Sequence, residues 1–183
     1  VYDWRVKDYT DPKTNTTRKR WMRRARLVAR EYAHQRRDDV HSPASGGQSL
    51  RLLPALYLML RSVGGVEQKD IQIGALDIKD AFLQVEQEVL VQVTTKVGKF
   101  RVDRNLPGQR IGAKAWFDHL TEYLKTCDYV FSRENPCLGR RDDGTYLLIH
   151  VDDIMFCGMT EGVKKLIMQL KEKFNISVNI AQY

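Results

Sequence analysis

The sequence lacks the long apolar run that a membrane-spanning helix needs. None of its hydrophobic stretches approaches roughly 20 residues, the length that crosses a bilayer. Cysteine is scarce, and Cys127, Cys137 and Cys157 are odd in number and widely spaced. They therefore form neither a disulfide framework nor a metal-type pair, and they indicate a reducing compartment. The four histidines have no zinc-ligand spacing, and the sequence contains no internal repeats or low-complexity tracts.

A secretory leader is also missing from the given sequence. Residues 1–4 hold neither an initiator Met nor a signal-peptide pattern, so we expect a piece of a longer chain that is not secreted. The 183 residues, 43% hydrophobic and 29% charged, are enough for a globular fold with a real core. They predict one domain, or one domain with a lobe.

Positive charge is concentrated at the amino-terminal end. Residues 1–41 contain twelve Lys and Arg against six Asp and Glu, so +6 of the net +7 lies there. The basic run that has no acid within it comprises Arg18, Lys19, Arg20, Arg23, Arg24, Arg26 and Arg30. Such a concentration favours a polyanionic partner, for which we expect nucleic acid or nucleotide and no membrane. The alternative is a disordered basic arm without a specific partner.

The first half of the chain predicts loops around one basic strand and one buried helix. Residues 8–20 and 33–49 are typical of loops. Residues 21–32 favour a strand with Arg24, Arg26, Val28 and Arg30 on one face, although a helix competes because Ala, Arg and Leu are good helix formers. An apolar helix is predicted from about residue 50 to 63. We expect it to start near Leu52, with Pro54 in its first turn, and to end at Gly64-Gly65.

The second half predicts antiparallel strands and two amphipathic helices. We expect a strand over 73–79, a turn or short helix over 80–84, and a hairpin from 89–93 and 97–102. Apolar spacings of three and four predict a helix over 112–127. A hairpin turn at 142–144 precedes a strand, turn and strand over 147–156, and Thr160 is expected to cap a last helix. The order predicts an α+β fold, with antiparallel strands backed by two or three helices.

Two adjacent acids, Asp152 and Asp153, interrupt the apolar stretch 147–156. Adjacent acids of this kind are common in solvated turns, but a third acid, Asp77, interrupts another apolar stretch upstream. Three carboxylates at the ends of neighbouring strands would hold two divalent cations, for which magnesium is suited, and such a pair supports in-line displacement at phosphorus. Phe82 would pack against the sugar of a nucleotide. The plainer alternatives are that Asp77 is a cap and Phe82 a core aromatic.

Five blocks in order resemble the reverse transcriptases of copia-type LTR retrotransposons. They are residues 26–30 (RLVAR), 42–43 (SP), 76–83 (LDIKDAFL), 106–110 (LPGQR) through 115–117 (AWF), and 150–154 (HVDDI). Their order and approximate spacing match over roughly residues 20–175. The sequence departs from the family at His150, where an aromatic Tyr is usual, and at Ile111 and Ala113, where Gln and Pro are expected.

The resemblance implies the fingers and palm of a right-hand polymerase, with an antiparallel palm sheet backed by helices and the thumb absent. Residues 1–70 would be fingers, 71–88 palm, 89–110 a fingers hairpin and 111–183 palm. The implied activity is RNA-directed DNA polymerase, a two-metal transfer from dNTP to a primer 3′-OH with two Mg²⁺ ions, which Mn²⁺ can replace. The implied partners are an RNA or DNA template-primer and the remaining Pol segments: thumb, RNase H and integrase. The implied location is a cytoplasmic retrotransposon particle, and also the nucleus.

The resemblance also implies residue roles. Asp77 and Asp152 match the metal-binding aspartates, and Asp153 matches the adjacent catalytic acid. The implied substrate-binding residues are Phe82 under the sugar, Asp80 and Ala81 at the triphosphate, and Arg24, Arg26 or Arg30 gripping phosphates in a register that stays open. Gly108, Arg110 and Lys114 match the block that supports the template and the incoming base.

Two other functions remain open. One is a catalytically inactive remnant that binds nucleic acid through its basic lobe. The other is a nucleotide cyclase or nucleotidyltransferase, which shares an α+β palm and paired acids. The basic strand ahead of Asp77 and the block around Trp116 favour the polymerase over the cyclase.

Overall fold

The computed structural model describes residues 2–12, 14–25, 27–29, 31, 40–62 and 70–181, and of residues 2, 3, 24 and 89 it describes the backbone alone. This part of the chain is a mixed α+β protein with three α-helices and antiparallel sheets. The strands are β1 (Tyr2–Thr10), β2 (Thr17–Ala25), β3 (Ile71–Ile78), β4 (Glu86–Thr95), β5 (Gly98–Arg104), β6 (Val130–Phe131), β7 (Leu138–Arg140), β8 (Tyr146–His150), β9 (Asp153–Met159) and β10 (Ile176–Ile180). The helices are α1 (Gly47–Ser62), α2 (Gly112–Thr126) and α3 (Thr160–Lys173), and a 3-10 turn spans Ala81–Gln84.

A six-stranded antiparallel sheet forms the centre, in the order β10-β3-β9-β8-β7-β6. Because side chains alternate along a strand, β3 buries Ile71 and Ile73 on one face and Leu76 and Ile78 on the other. Strands that are buried on both faces carry apolar residues at nearly every position. Helix α1 lies against β3, β8 and β9, and α3 lies against β3 and β9. The remaining strands form two separate ribbons, β1–β2 and β4–β5.

The register between β3 and β9 places Gly74 opposite Phe156. The Phe156 ring is fully buried and covers the glycine, so that a Cβ at Gly74 would lie 2.6 Å from Phe156 Cζ and 2.6 Å from the Asn179 carbonyl oxygen. A side chain at position 74 would clash with both a neighbouring strand and a large core ring. Because glycine has no side chain, β10, β3 and β9 can pack at normal spacing around the aromatic ring.

Helices α2 and α3 are joined by an aromatic cluster at the end of α3. Phe174 meets Trp116 and Tyr123 edge to face, with ring centroids 5.5 Å and 5.4 Å apart. The Tyr123 hydroxyl donates to the Gln169 carbonyl at 2.6 Å, and burial raises the pKa of this phenol to about 12. The two helices are thus fixed to each other by packing and by a directed hydrogen bond.

A buried arginine ties the β7–β8 hairpin to α3. Arg141 is only 5% exposed and lies over the Tyr129 ring at 4.9 Å. Its guanidinium donates to Asp143, to the Gly162 carbonyl at 2.8 Å and to Gln169. Burial alone would raise the pKa of Asp143, but the hydrogen bonds from Arg141 and Thr145 lower it. These hydrogen bonds offset the cost of removing the Arg141 charge from water.

Most of the predicted elements are confirmed. The 112–127 helix, the 89–102 hairpin, the turn at 142–144, the strand-turn-strand over 147–156 and the short helix after Asp80 all form, with bounds shifted by a few residues. Of the basic segment 21–32, residues 21–25 lie in a strand, as the first of the two alternatives had it, but the described residues 27–29 and 31 belong to no strand, so the expected continuation through Val28 was wrong. The division into residues 1–70, 71–88, 89–110 and 111–183 stays a prediction.

Several expectations were wrong. Helix α1 begins at Gly47 rather than near Leu52, so Pro54 is its eighth residue and lies inside the helix, where it removes one backbone bond. Residues 8–10 and 17–20 belong to strands rather than to the loop expected over 8–20, because cross-strand pairing overrides their polar composition. Thr160 is the first helical residue of α3, and Met159 occupies the cap position without a side-chain cap bond. The Gly64-Gly65 ending lies outside the described residues.

Among the described residues, no helix combines the length and apolar character that crossing a membrane requires. The longest of them, α1, has 16 residues and includes Arg51 and Arg61.

We expect Gly74→Ala to destabilise the protein by about 1–3 kcal/mol, the usual cost of overpacking a core. The added methyl group meets the Asn179 carbonyl and the Phe156 ring. The shift in the urea unfolding midpoint measures the effect. Gly47→Ala is the matched control, since a Cβ there meets nothing within 4 Å. Equal midpoints for Gly74→Ala and the parent chain would contradict the packing described.

Candidate functional site

The turn between β8 and β9 consists of two residues, Val151 and Asp152. Val151 has φ 59°, a left-handed conformation that β-branched residues rarely adopt. Two hydrogen bonds from other elements hold this turn. The fully buried Trp116 of α2 donates its indole N–H to the Val151 carbonyl at 2.8 Å, and the Ile78 amide donates to the Asp152 carbonyl at 2.9 Å. The strained turn is therefore fixed from α2 on one side and from β3 on the other.

Three carboxylates meet at this turn. Asp153 pairs directly with Asp77 of β3, and His150 pairs with Asp153 across the hairpin. The side chains of Asp77, Asp153 and His150 therefore share one face of the sheet, and Asp152 lies in the adjoining turn. Asp77 and Asp152 are half-buried, and Asp153 is more exposed. The pKa of Asp153 is raised, first by burial and then by the negative charges of Asp152 and Asp77, while His150 opposes the shift. The acids are thus close enough to repel one another.

Serines flank this acid cluster, by which we mean Asp77, Asp152 and Asp153. Ser45, only 7% exposed and two residues before α1, shares a hydrogen bond of 2.7 Å with His150 Nδ1. Ser177 of β10 lies opposite Asp77 and donates to its Oδ2 at 3.4 Å. The first contact connects the chain entering α1 to the end of β8, and so fixes one side of the His150 ring.

The acid cluster has suitable donors for a hard divalent cation, and the repulsion at Asp153 is the kind that such a cation relieves. In the described ranges, no group of three or more His, Cys, Asp or Glu side chains already has the geometry to hold a metal ion. Magnesium is commonly bound through one or two carboxylates, with waters and substrate phosphates completing its shell. The chemistry of these residues therefore fits magnesium that arrives with a phosphate substrate.

The residues after Asp77 form a tight corner. Asp80 has left-handed backbone angles (φ 54°, ψ 37°), and its carbonyl accepts from the Leu83 amide at 2.9 Å. Ala81 is buried, and Phe82 is half-buried against the core. The Phe82 ring lies over the first residue of α2, since a Cβ on Gly112 would be 3.2 Å from it. Phe82 thus serves as a core aromatic with one part of its ring still accessible.

The loop before α2 contacts the chain that follows the basic strand. Gly108 has φ 91°, and a Cβ on it would lie 2.3 Å from the Ala29 carbonyl oxygen. The Ala29 amide donates to the Pro107 carbonyl at 2.8 Å, and the Arg110 amide donates to Glu31 at 2.9 Å. Lys114 pairs with Asp118 one turn further along α2. Gly108, Arg110 and Lys114 are therefore together at one end of α2.

The basic segment forms a two-faced ribbon rather than a single basic strand. One face of β1–β2 carries Arg5, Lys7, Arg18 and Arg20, with Arg20 at 5.5 Å from the Tyr9 ring. The other face carries Trp4, Val6 and Trp21 together with Lys19 and Arg23. The Arg24 backbone lies in β2 opposite Asp3, but its side chain is outside the described residues, as are Arg26 and Arg30 entirely. The contribution of Arg5 and Lys7 was missed, although the alternation Arg5-Val6-Lys7 carries a strand signal.

A cavity of about 690 Å³ lies between residues 27–29 and 31, β4 and the start of α2. Its walls include Val28, Val91, Ile111 and Ala115. Asn105 also lines it and is only 2% exposed, and among the described residues its Oδ1 has no hydrogen-bond partner. The acid cluster does not line this cavity. A buried acceptor without a donor is costly, so a ligand with an N–H group is favoured here.

We expect Asp153→Asn to stabilise the protein at neutral pH. Folding raises the pKa of Asp153, so the carboxylate destabilises the fold as the pH rises above its ordinary value of about 3.9. The gain in urea midpoint should therefore be present at neutral pH and shrink below about pH 3.9. Asp103→Asn is the control, because it removes an exposed acid of β5 that pairs with Arg101 at 2.7 Å. A gain that is equal in both variants, or independent of pH, would contradict the repulsion.

No protein-family model matches the chain. The observations that bear on its function are the arrangement of the acid cluster, the charge of the β1–β2 ribbon and the order of the sequence blocks.

Proposed function

We propose that this chain is the fingers and palm portion of a copia-type reverse transcriptase, an RNA-directed DNA polymerase. The observation that carries the proposal is the register that sets Asp77 opposite Asp153, with Asp152 in the adjoining turn. Two separate sequence blocks thereby supply acids to one face of one sheet. A solvated turn needs no acid on the neighbouring strand and no buried indole holding its carbonyl.

The residues that would hold two Mg²⁺ ions are Asp77 and Asp152. When bound, the ions would stabilise the attacking and leaving oxygens of an in-line displacement at the α-phosphorus of a dNTP. Asp153 would add negative charge beside them, at the cost of repulsion in the metal-free state. Trp116 and the Ile78 amide would keep the turn, and with it Asp152, in a fixed position before substrate arrives.

Substrate recognition would divide between the corner after Asp77 and the basic ribbon. The amides of Ala81 and Phe82 begin the 3-10 turn, where backbone N–H groups have no partner within the turn, and they would face the triphosphate. The accessible part of the Phe82 ring would lie under the sugar. Lys7, Arg18 and Arg20 are exposed on one ribbon face and would contact phosphates of the template-primer, while Arg24, Arg26 and Arg30 stay candidates for the triphosphate.

The template would lie beside the loop that carries Gly108 and Arg110. The cavity next to this loop combines apolar walls with the unpartnered Asn105 Oδ1, which suits a base with an amino group. The proposed contacts with magnesium and template-primer would thus be divided among the β8–β9 turn, the β1–β2 ribbon and the loop before α2. The remaining Pol segments would extend this surface.

The inactive nucleic-acid-binding remnant is the alternative with an observation in its favour, because the basic ribbon face needs no catalysis to bind a polyanion. A cyclase or nucleotidyltransferase would use the same acids without a template. Metal-dependent primer extension separates the polymerase from both.

We expect the protein to extend an annealed primer with dNTP in the presence of Mg²⁺ or Mn²⁺. Asp77→Asn and Asp152→Asn should each reduce incorporation about a hundredfold or more, because each removes a carboxylate from the metal site. Both variants should keep their affinity for the template-primer, measured by fluorescence anisotropy. Asp142→Asn is the matched control, since Asp142 is also the first acid of an Asp-Asp pair in a hairpin turn.

Full incorporation by Asp152→Asn would show that the acid cluster is not the catalytic site. Template-primer binding without incorporation by the parent chain would favour the remnant. Turnover of free nucleoside triphosphate without a template would favour the cyclase or nucleotidyltransferase.

A further inference from the structure

A second cavity, of about 570 Å³, shares the lining residue Glu86 with the first cavity. It is formed where the 3-10 turn, β5, the middle of α2 and the end of α3 meet. Its lining consists of Gln84, Val85, Glu86, Arg104, His119, Lys173 and Phe174. None of these residues belongs to the acid cluster, and three of them are cationic or can become so.

Arg104 is held in place at one wall of this cavity. Its guanidinium donates to the Gln84 carbonyl at 3.2 Å through Nη1, and its Nη2 pairs with Glu86 at 3.2 Å. The planar group is thus oriented before any ligand binds, which reduces the entropy cost of a further contact. Glu86 is the one acid among the lining residues, and it is already engaged by Arg104.

Two side chains of this cavity, Lys173 and His119, are without an ion-pair partner among the described residues. In the part of the chain that the structure describes, neither the Lys173 ammonium nor the His119 ring nitrogens make a hydrogen bond or an ion pair. The imidazole is edge-on to Phe174, with ring centroids 6.1 Å apart. The cavity therefore presents unused N–H donors from two helices.

The charges around His119 are positive on balance. Its pKa is lowered, first by burial and then by Lys173 of α3, with a smaller contribution from Arg104 of β5. Glu122 on its own helix opposes the shift, and Glu86 of β4 is paired with Arg104. An anion in the cavity would neutralise the two cations and favour the protonated imidazole.

We propose that this cavity binds a small phosphate-bearing anion, with Lys173 and Arg104 neutralising its charge and His119 donating a hydrogen bond. Phosphate oxygens are strong acceptors, and Arg and Lys are the side chains that usually bind them. The volume falls within the roughly 300–1,000 Å³ of small-molecule sites. Val85 and Phe174 give an apolar wall against which a nucleoside attached to the phosphate would pack. This proposal does not depend on polymerase activity.

The test is the pKa of the His119 imidazole, followed by NMR and assigned with His119→Gln. We expect inorganic phosphate, or adenosine monophosphate if the nucleoside contributes, to raise this pKa in a saturable manner. Lys173→Gln should itself raise the pKa of His119 and weaken the binding of the anion about tenfold, because one charge-assisted contact is lost. Lys171→Gln is the matched control on the same helix turn, since Lys171 does not line the cavity.

A saturable response to either phosphate compound that is lost in Lys173→Gln and kept in Lys171→Gln would support the proposal. Inorganic phosphate acting alone would identify a free-phosphate site, and adenosine monophosphate acting alone would identify a nucleotide site. The proposal fails if neither compound changes the pKa of His119, if both lysine variants bind equally, or if adenosine without phosphate binds as tightly as the monophosphate.

Discussion

The pairing of β3 with β9 in one fixed register decides where the acids of this protein lie. Side chains alternate between the two faces of a strand, so a slip of one residue would move Asp77 to the face opposite Asp153. Gly74 favours the observed register, because the Phe156 ring occupies the space that a side chain at this position of β3 would need. A packing constraint in the middle of the sheet therefore sets the geometry at its end, three residues further along β3.

Two local features of the acid cluster are energetically unfavourable. Val151 occupies a left-handed conformation, and Asp153 is repelled by Asp152 and Asp77. The buried indole of Trp116 and the amide of Ile78 bind the turn's two carbonyl oxygens, so that core packing supports an arrangement that costs stability locally. The proposed nucleotidyl transfer requires a site whose electrostatic repulsion is relieved when a cation and a phosphate bind.

Local patterns in the sequence predicted the elements with strong periodicity, and contacts between distant residues decided the rest. Helix α2 and the β8–β9 hairpin follow from apolar spacing and from turn residues. The start of α1 was misplaced because Pro54 was expected in a first turn, and β1, β6 and β10 were missed because short or polar strands depend on their partners. The presence of the three acids was evident from the sequence, but their register was not.

Two contacts of the site had no local signal at all. The Ser45–His150 bond joins residues 105 apart, and the Trp116–Val151 bond joins residues 35 apart. Trp116 was noted within a sequence block, whereas its hydrogen bond to the hairpin turn became evident only from the fold. The second cavity likewise collects Arg104, His119 and Lys173 from three elements that are distant in the chain.

We propose that Asp77 and the Asp152-Asp153 turn together form one divalent-cation site. The most direct measurement is the paramagnetic broadening of backbone amide NMR signals by substoichiometric Mn²⁺. We predict that signals at the end of β3 and in the β8–β9 turn broaden together, and that Asp77→Asn removes the effect from both. Broadening confined to one of the two segments, or unchanged in Asp77→Asn, would contradict a shared site.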